Sequence, residues 1–302
     1  MKIGIGAVQF GANYGISNKD GKTPESEVRT ILSTAFELGV RFIDTASHYG
    51  DSEEVIGRAM PPDTYFNIVT KTVAFSKQML DEVDAQNLED AFHASLLKLR
   101  MPSVYGLLMH RADDLLVPGG DLLMNRLLRL KKDGFVSKIG VSVYSGQQID
   151  QVLDRFSIDL IQLPINMLDQ RLLRGAYLEK LKRAGVEIHA RSVFLQGLLL
   201  MGQQDIPDYF NSVREKLDSY HQIISKRGLT PLQAALGFVL GIPEIDQVIC
   251  GVNNSEQLRE ICEASQAKID WREFTNFAVS DESIVNPSLW RLDVGKKGNV
   301  AA

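Results

Sequence analysis

The hydrophobic pattern alternates along the chain between amphipathic helical stretches and short apolar runs. In three places a helix ends at a glycine and a β-branched run follows at once, around Gly39 ("AFELGVRFIDT"), Gly134 ("RLKKDGFVSKIGVS") and Gly185 ("EKLKRAGVEIHARS"). A glycine just past a helix supplies the left-handed cap, and a short run that is apolar on both faces is typical of a buried parallel strand. The repeat therefore predicts alternating helices and parallel strands.

The same pattern, extended along the chain, predicts eight strands with helices between them. The strands are predicted at Ile3–Gly6, Val40–Asp44, Asn67–Lys71, Val104–His110, Ser137–Ser142, Ile158–Leu163, Val186–Arg191 and Asp246–Cys250. Eight alternations of strand and helix favour an α/β fold of the closed (β/α)8 TIM barrel type, in a single domain. A doubly wound open sheet is the alternative.

Local signals predict where individual elements and the domain end. The first long helix is predicted to begin with Thr23 as N-cap and Pro24 at the first helical position, and another helix is predicted to run unbroken over Leu172–Ala184. No linker rich in serine or proline divides the chain, so one catalytic barrel domain is predicted over residues 1–270. The weakly patterned residues 271–302 are predicted to form a C-terminal tail, either partly disordered or covering the active site with Trp290 as its anchor.

Composition and charge argue against several classes of protein. The formal net charge of −5, without a basic stripe, argues against nucleic-acid binding. No run reaches the ~18 apolar residues that a membrane span needs, and the N-terminus lacks the apolar core of a signal peptide. Cys250 and Cys262 form neither a disulfide framework nor a zinc pattern, so we expect reduced thiols, a cytoplasmic location and no metal.

Four polar side chains follow neighbouring predicted strands at the end where barrel enzymes carry their active sites. Asp44, Lys71 and His110 each end an otherwise apolar strand, and Tyr49 lies in the loop after Asp44. Each has a structural explanation when it is taken alone. Asp44 and Lys71 would form a buried ion pair, His110 would be a core histidine, and Tyr49 would pack on the rim.

Taken together, the four side chains form a group suited to proton donation. A tyrosine hydroxyl has an unperturbed pKa of about 10, and a neighbouring Lys71 ammonium is expected to lower the pKa of Tyr49. Asp44 would keep the lysine charged and oriented. A neutral His110 would donate a hydrogen bond to a carbonyl oxygen that gains negative charge as a hydride reaches its carbon. The group therefore predicts reversible carbonyl reduction with an external hydride donor.

Several segments resemble the aldo-keto reductase family. "FIDTASHYGDSE", "IVTKT" and "LLMHR" are similar to its three catalytic segments, in the family's order and approximate spacing, and the likeness extends over about residues 3–262. The resemblance implies a (β/α)8 barrel that reduces aldehydes and ketones with a nicotinamide cofactor, NADP(H) before NAD(H). It also implies that Tyr49 is the general acid/base, that Asp44 and Lys71 tune it, and that His110 orients the carbonyl.

The resemblance extends to the residues that would bind the cofactor. No G-x-G-x-x-G sequence opens a helix after a strand, so a Rossmann turn is not expected. By the resemblance, Ser142 and Gln162 hold the carboxamide of the nicotinamide, and the stretch beginning at Arg191 and Ser192 follows the pyrophosphate. The adenosine end corresponds to a turn and helix start that comprise Gly251, Asn253, Asn254 and Gln257.

This chain departs from the family pattern at both ends of the expected cofactor site. Val143 replaces the asparagine that often follows the carboxamide-binding serine. Asn253 and Asn254 occupy positions where many members carry an arginine for the 2′-phosphate, so we expect weaker discrimination of NADPH over NADH than is usual in the family. Capping of the next helix is the alternative role for these asparagines.

The substrate and the physiological role are less specified. Candidate pocket residues are Tyr14, His48, Phe75 and Phe194, and the expected partner is a small carbonyl compound, with no obligate protein partner evident. Two other functions remain open. One is a cofactor-binding regulatory barrel with little or no catalysis, and the other is a sugar or polyol dehydrogenase that runs the same chemistry in reverse.

Overall fold

The fold is a closed barrel of eight parallel strands, as predicted. The computed structural model describes residues 1–292. Each strand pairs with the next in chain order, and the last pairs with the first. The strands are β1 Ile3–Gly6, β2 Phe42–Asp44, β3 Asn67–Lys71, β4 Val104–Met109, β5 Val136–Ser142, β6 Leu160–Pro164, β7 Glu187–Arg191 and β8 Gln247–Gly251. All eight lie within two residues of the predicted bounds, and the TIM-barrel prediction is confirmed.

Helices surround the barrel between successive strands. Within the described range they are α1 Val8–Gly11, α2 Glu25–Glu37, α3 Ser52–Ala59, α4 Glu82–Leu99, α5 Gly120–Lys132, α6 Gly146–Arg155, α7 Arg171–Arg174, α8 Tyr177–Arg183, α9 Arg214–Lys226, α10 Pro231–Leu240, α11 Ser255–Ala264 and α12 Glu282–Val285. Residues Asp208–Val213 form a 3₁₀ segment directly before α9. The apolar faces of these helices and of the strands form one large core.

Two helix predictions are wrong for local reasons. Pro24, not Thr23, is the N-cap of α2, and no side chain caps that helix. The helix predicted over 172–184 is two helices, α7 and α8, because the chain turns at Gly175 and at Ala176, whose φ of 54° is left-handed. A left-handed residue cannot continue a right-handed helix.

The carboxyl ends of the strands collect polar side chains at one end of the barrel. Asp44, Lys71, Ser142, Arg191 and Gly251 are each the last residue of their strand. Parallel strands in a closed barrel all end on the same side. The sequence positions of these residues therefore place them on one face, despite separations of more than a hundred residues.

A polar cluster closes the opposite, amino-terminal end of the barrel. Glu187, the first residue of β7, accepts hydrogen bonds from the Tyr105 hydroxyl and His189 Nε2, both at 2.7 Å, and pairs with Lys138. The Phe42 ring packs edge-on against Tyr105 and His189. Burial alone raises the pKa of Glu187, but hydrogen bonds from His189, Lys138 and Tyr105 outweigh it and lower the pKa to about 2.

We expect Glu187 to make stability sensitive to acid. Because its pKa is lower in the folded chain, its stabilisation is present above about pH 4.5 and is lost as the pH falls towards 2. The free energy of unfolding should fall by about 2 kcal/mol more in the native chain than in Glu187→Gln over that interval. Urea titrations at several pH values measure this. The exposed Glu263→Gln is the control, and equal pH dependence in native chain and Glu187→Gln would contradict the expectation.

The described part of the C-terminal tail packs against the barrel's outer helices. The Trp290 ring lies edge-on to Phe210, with ring centroids 5.0 Å apart, and its Nε1 donates to the Ile284 carbonyl oxygen. Val279 N donates to Leu168 O at 2.8 Å. Residues 293–302 of the predicted tail lie outside the described range.

Two further findings concern the described residues as a whole. No helix in residues 1–292 is long and apolar enough to cross a membrane. Cys250 and Cys262 are both buried and unbonded to each other, and burial raises the pKa of each thiol.

Candidate active site

The four predicted catalytic side chains meet at the carboxyl end of the barrel. Lys71 Nζ donates to both carboxylate oxygens of Asp44, at 2.8 and 2.7 Å, and to Thr45 O at 3.0 Å. It lies 3.5 Å from the Tyr49 hydroxyl. The Tyr49 ring is edge-on to the ring of His110, with centroids 6.0 Å apart. The arrangement links a phenol to a buried ion pair, whose side chains are 1% and 7% exposed.

A tight turn holds the Tyr49 ring in this position. Gly50 has a left-handed φ of 57°, and a Cβ there would lie 2.2 Å from Gly11 O. A Cβ on Gly11 would in turn lie 1.8 Å from Tyr49 O. Only glycine satisfies both the backbone angle and the close approach. The turn after β2 is therefore clamped against α1, and Tyr49 is held over the barrel.

The acidity of Tyr49 differs from the sequence prediction. Burial, with a further contribution from the negative charge of Asp44, raises the pKa of Tyr49 above its ordinary value, although Arg191 opposes this. The predicted lowering of this pKa by Lys71 is wrong. The ammonium is already bound to both oxygens of Asp44, so little of its field reaches the phenol. The Tyr49 hydroxyl is consequently protonated and able to donate.

His110 is neutral in this environment. Burial and the positive charge of Lys71, with smaller contributions from His48 and Arg191, lower the pKa of His110 to about 3. Its Nδ1 is buried without a hydrogen-bond partner among the described residues. A neutral imidazole next to Tyr49 can donate one hydrogen bond without adding a charge to the site, as the sequence predicted.

Gln162 and Ser142 lie next to each other on β6 and β5. Gln162 Nε2 donates to Asp44 Oδ1 at 2.7 Å, whereas its Oε1 is buried and has no partner within residues 1–292. An unpaired buried acceptor favours a ligand that brings an N–H donor. The carboxamide of a nicotinamide is such a group, so these two residues fit the cofactor that the sequence implied.

An elongated cavity of about 290 Å³ extends from Asp44 and Tyr49 to helix α11. It passes between the loop after β1 and the loop after β7. Nine of the predicted site residues line it, namely Tyr14, Asp44, Tyr49, Arg191, Ser192, Phe194, Gly251, Asn253 and Gln257. The cavity therefore has the proton donor Tyr49 and the residues next to the start of α11 in one continuous lining.

The loop after β7 forms one wall of this cavity, and several of its residues have a strained backbone. Ser192, Leu195 and Gln196 have left-handed φ values of 58°, 47° and 52°. Such conformations cost on the order of 1–3 kcal/mol each and concentrate at ligand sites. Ile16 N donates to Gln196 O at 3.2 Å, so the loop after β1 touches this wall and bridges the cavity.

The far end of the cavity lies at the start of α11. Asn254 is the N-cap of this helix, and its Oδ1 accepts from Gln257 N at 2.8 Å. Capping, the alternative role considered for the asparagines, therefore applies to Asn254. Asn253 lines the cavity, and its Oδ1 is buried without a partner among the described residues.

The remaining predicted pocket residues are divided between the cavity and its surroundings. Tyr14 packs in one cluster with Tyr49, and Phe194 lines the cavity. His48 accepts from Ala74 N at 3.1 Å, and its ring lies 5.7 Å from His110. Phe75 packs against the main core and does not line this cavity.

Several lining residues were not found by sequence reasoning. The polar ones are Gln9, after the first strand, and Glu260 on α11; Asn18 and Gln196 also line the cavity and lie in loops, Tyr14–Asn18 and Phe194–Gln204, that the sequence predicts as pocket walls. Gln9 Oε1 is buried without a partner in the described part of the chain. Glu260 lies one helical turn after the predicted Gln257, and that spacing is the one signal that would have identified it.

The fold and the site together define a barrel oxidoreductase. The model of the aldo/keto reductase family matches residues 2–281, and the chain belongs to this family. It is 22% identical over 284 residues to YqkF, an oxidoreductase of Bacillus subtilis (88% of each chain), and 25% identical over 274 residues to the L-galactose dehydrogenase of Arabidopsis thaliana (85% of this chain, 83% of that one). Aldo-keto reductase AKR11C1 from Bacillus halodurans, in a holo form, superimposes with a TM-score of 0.74 at 20% identity, covering 92% of each chain.

Proposed function

We propose that this chain reduces aldehydes or ketones to alcohols, reversibly, with a nicotinamide dinucleotide as hydride donor and Tyr49 as proton donor. The proposal rests above all on the contact between the Tyr49 hydroxyl and Lys71 Nζ, at 3.5 Å, at the mouth of the cavity. A binding barrel without turnover would need a cofactor site but not a protonated phenol joined to a buried ion pair.

Each side chain has a distinct part in this reaction. His110, neutral at physiological pH, donates a hydrogen bond to the carbonyl oxygen and holds it beside the Tyr49 hydroxyl. The bound nicotinamide supplies the hydride. As negative charge develops on the oxygen, the Tyr49 hydroxyl transfers its proton there, and Lys71 stabilises the resulting phenolate. Asp44, held by Gln162, keeps Lys71 oriented.

The cofactor would extend along the cavity. Ser142 and Gln162 would bind its carboxamide, because the Gln162 Oε1 lacks a donor. The Arg191–Ser192 backbone would follow the pyrophosphate, and the turn at Gly251, with Asn253 and Gln257, would bind the adenosine. NADP(H) remains the expected cofactor on family grounds, with NAD(H) as the alternative.

The absorbance of the reduced nicotinamide, followed over a panel of aldehydes and ketones, tests the function. We expect turnover that depends on the carbonyl compound, and oxidation of the corresponding alcohols with the oxidised cofactor. If the protein binds the cofactor but turns over no substrate in either direction, the regulatory alternative replaces this proposal. If the oxidation of sugars or polyols greatly exceeds carbonyl reduction, the dehydrogenase alternative applies.

We expect weaker discrimination of NADPH over NADH than is usual in the family. Asn253 and the capping Asn254 bring no positive charge to the adenosine end, and Glu260 is an acidic lining residue there. A 2′-phosphate would gain no ion pair from these residues. Michaelis constants for NADPH and NADH measure the effect, and a preference for NADPH above about 100-fold, some 2.7 kcal/mol, would contradict it.

The remaining expectations concern location and partners. We propose a cytoplasmic protein that acts on a small carbonyl compound, without a nucleic-acid, membrane or obligate protein partner. The net charge of −5, without a basic stripe, supports the part of this proposal that concerns nucleic acid. Among residues 1–292 no group of three histidine, cysteine or acidic side chains is arranged to hold a metal.

A further inference from the structure

The side chain of Arg191 occupies an unusual position in the cavity. Its guanidinium lies over the Tyr144 ring, with Cζ 4.1 Å from the ring centroid. It donates to Ser192 Oγ at 3.2 Å and to Val143 O at 3.3 Å. These two bonds use two of the five N–H donors of an arginine. No carboxylate within residues 1–292 forms an ion pair with it, although it is the one basic residue among those described that line the cavity.

The guanidinium acts on the catalytic end of the cavity. Its positive charge opposes the rise that burial causes in the pKa of Tyr14 and Tyr49. It also adds to the lowering of the pKa of Lys71 and His110, for which burial is the largest cause. The other charges at this end cancel, because Asp44 and Lys71 form a pair and His110 is neutral. The space beside the proton donor therefore carries one uncompensated positive charge.

A half-buried cation without a counterion favours an anionic ligand. Partly buried charges are screened less than exposed ones, and charged hydrogen bonds are about twice as strong as neutral ones. The planar guanidinium also matches the geometry of carboxylate and phosphate oxygens. Hydrogen bonds to Ser192 and Val143, together with the Tyr144 ring, fix its orientation before any ligand binds.

We propose that Arg191 selects carbonyl substrates that carry an anionic group, a carboxylate or a phosphate, and binds that group while the carbonyl lies at Tyr49. This rests on the proposed carbonyl reduction and specifies its substrate class. The backbone of Arg191 and Ser192 stays on the path of the cofactor, whereas the guanidinium serves the substrate. Glu260, the other unpaired charge of the cavity lining, comes from α11 at the opposite end.

Matched substrate pairs test the proposal in the cofactor-saturated protein. The pairs are 4-carboxybenzaldehyde with its methyl ester, and glyceraldehyde 3-phosphate with glyceraldehyde. We expect kcat/KM to favour the anionic member by at least about tenfold in one pair or both, and to lose that preference as ionic strength rises. The pair that shows the preference identifies the carboxylate or the phosphate as the group selected.

Arg191→Gln should abolish the preference. We expect kcat/KM for the anionic member to fall by about 10- to 100-fold relative to kcat/KM for the neutral member, mainly through KM. Arg155→Gln removes an exposed arginine on α6 that pairs with Asp121, and it should leave both members unchanged. Cofactor affinity is measured in all three proteins by fluorescence titration, and each protein is assayed at saturating cofactor, so that the ratio between the two members reports on the substrate alone.

Other results would overturn the proposal. Equal kcat/KM for both members of each pair in the native protein would do so. So would an Arg191→Gln variant that loses cofactor affinity and whose kcat/KM falls by the same factor for both members. Calorimetric titration of benzoate and of inorganic phosphate into the cofactor complex gives a second readout. If benzoate or phosphate binds to the native protein and not to Arg191→Gln, the anion site is supported. If no carbonyl compound is reduced while that binding is seen, only the proposed reaction is refuted.

Discussion

Tyr49→Phe is expected to lower kcat by about 10²- to 10⁴-fold, because the substitution removes the hydroxyl that lies 3.5 Å from Lys71 Nζ and nothing else. The ring itself packs with Val8, Ala46 and Tyr14, and phenylalanine keeps that packing. Cofactor affinity and the melting temperature should therefore remain near native values. Steady-state kinetics on any accepted aldehyde, with fluorescence titration of the cofactor, measure both parts of the expectation.

A second buried tyrosine provides a control for this experiment. Tyr220 is fully buried, and its hydroxyl donates to Pro231 O at 3.2 Å, away from the cavity. Tyr220→Phe should leave kcat unchanged. If Tyr49→Phe kept activity within about tenfold of native, the proton would have to come from another group, and the proposed role of the phenol would be refuted.

The raised pKa of Tyr49 suits reduction better than the acidic phenol predicted from the sequence. A buried neutral phenol holds its proton until a stronger base appears beside it, and the alkoxide that forms during hydride transfer is such a base. In the proposed reaction, Lys71 would matter most after proton transfer, when a phenolate replaces the phenol. The position of the ammonium is consistent with this order, because it binds Asp44 directly and Tyr49 only at the limit of a hydrogen bond.

The positions of the proposed catalytic residues followed from the sequence because the fold repeats. Three glycine-ended helices, and the same alternation extended along the chain, predicted the strands, and the last residue of each strand was expected at the carboxyl end of the barrel. Asp44 and Lys71 were found in this way. Cofactor-site and rim residues such as Asn253 and Phe194 were found through resemblance, and they occupy irregular loops with no period of their own.

Properties that depend on contacts between distant segments could not be predicted. The hydrogen bond from Gln162 to Asp44 joins residues 118 positions apart, and it gives a predicted cofactor residue a second partner. The pKa of Tyr49 depends on the burial of its ring and on how fully Asp44 neutralises Lys71, neither of which a linear pattern specifies. The uncompensated charge of Arg191 likewise appears only when all lining residues are known together.

Lys71→Met is expected to destabilise the protein by about 3–5 kcal/mol, because it leaves Asp44 buried and charged without its ammonium partner. Burial lowers the pKa of Lys71, and the charge and hydrogen bonds of Asp44 oppose that lowering, so each member depends on the other. The same variant should lose most of its activity, since no cation would remain to stabilise the phenolate of Tyr49. Urea unfolding and steady-state kinetics measure the two losses separately.

A double variant separates the structural role of this ion pair from its catalytic role. Asp44→Asn with Lys71→Met replaces both charges, and Gln162 Nε2 can still donate to the new amide oxygen. Replacing both members of a buried pair costs much less than removing one, so stability should return to within about 2 kcal/mol of native. Activity should stay as low as in Lys71→Met. If activity returned with stability, Asp44 and Lys71 would only close the top of the barrel, and the chemistry assigned to Tyr49 would not require them.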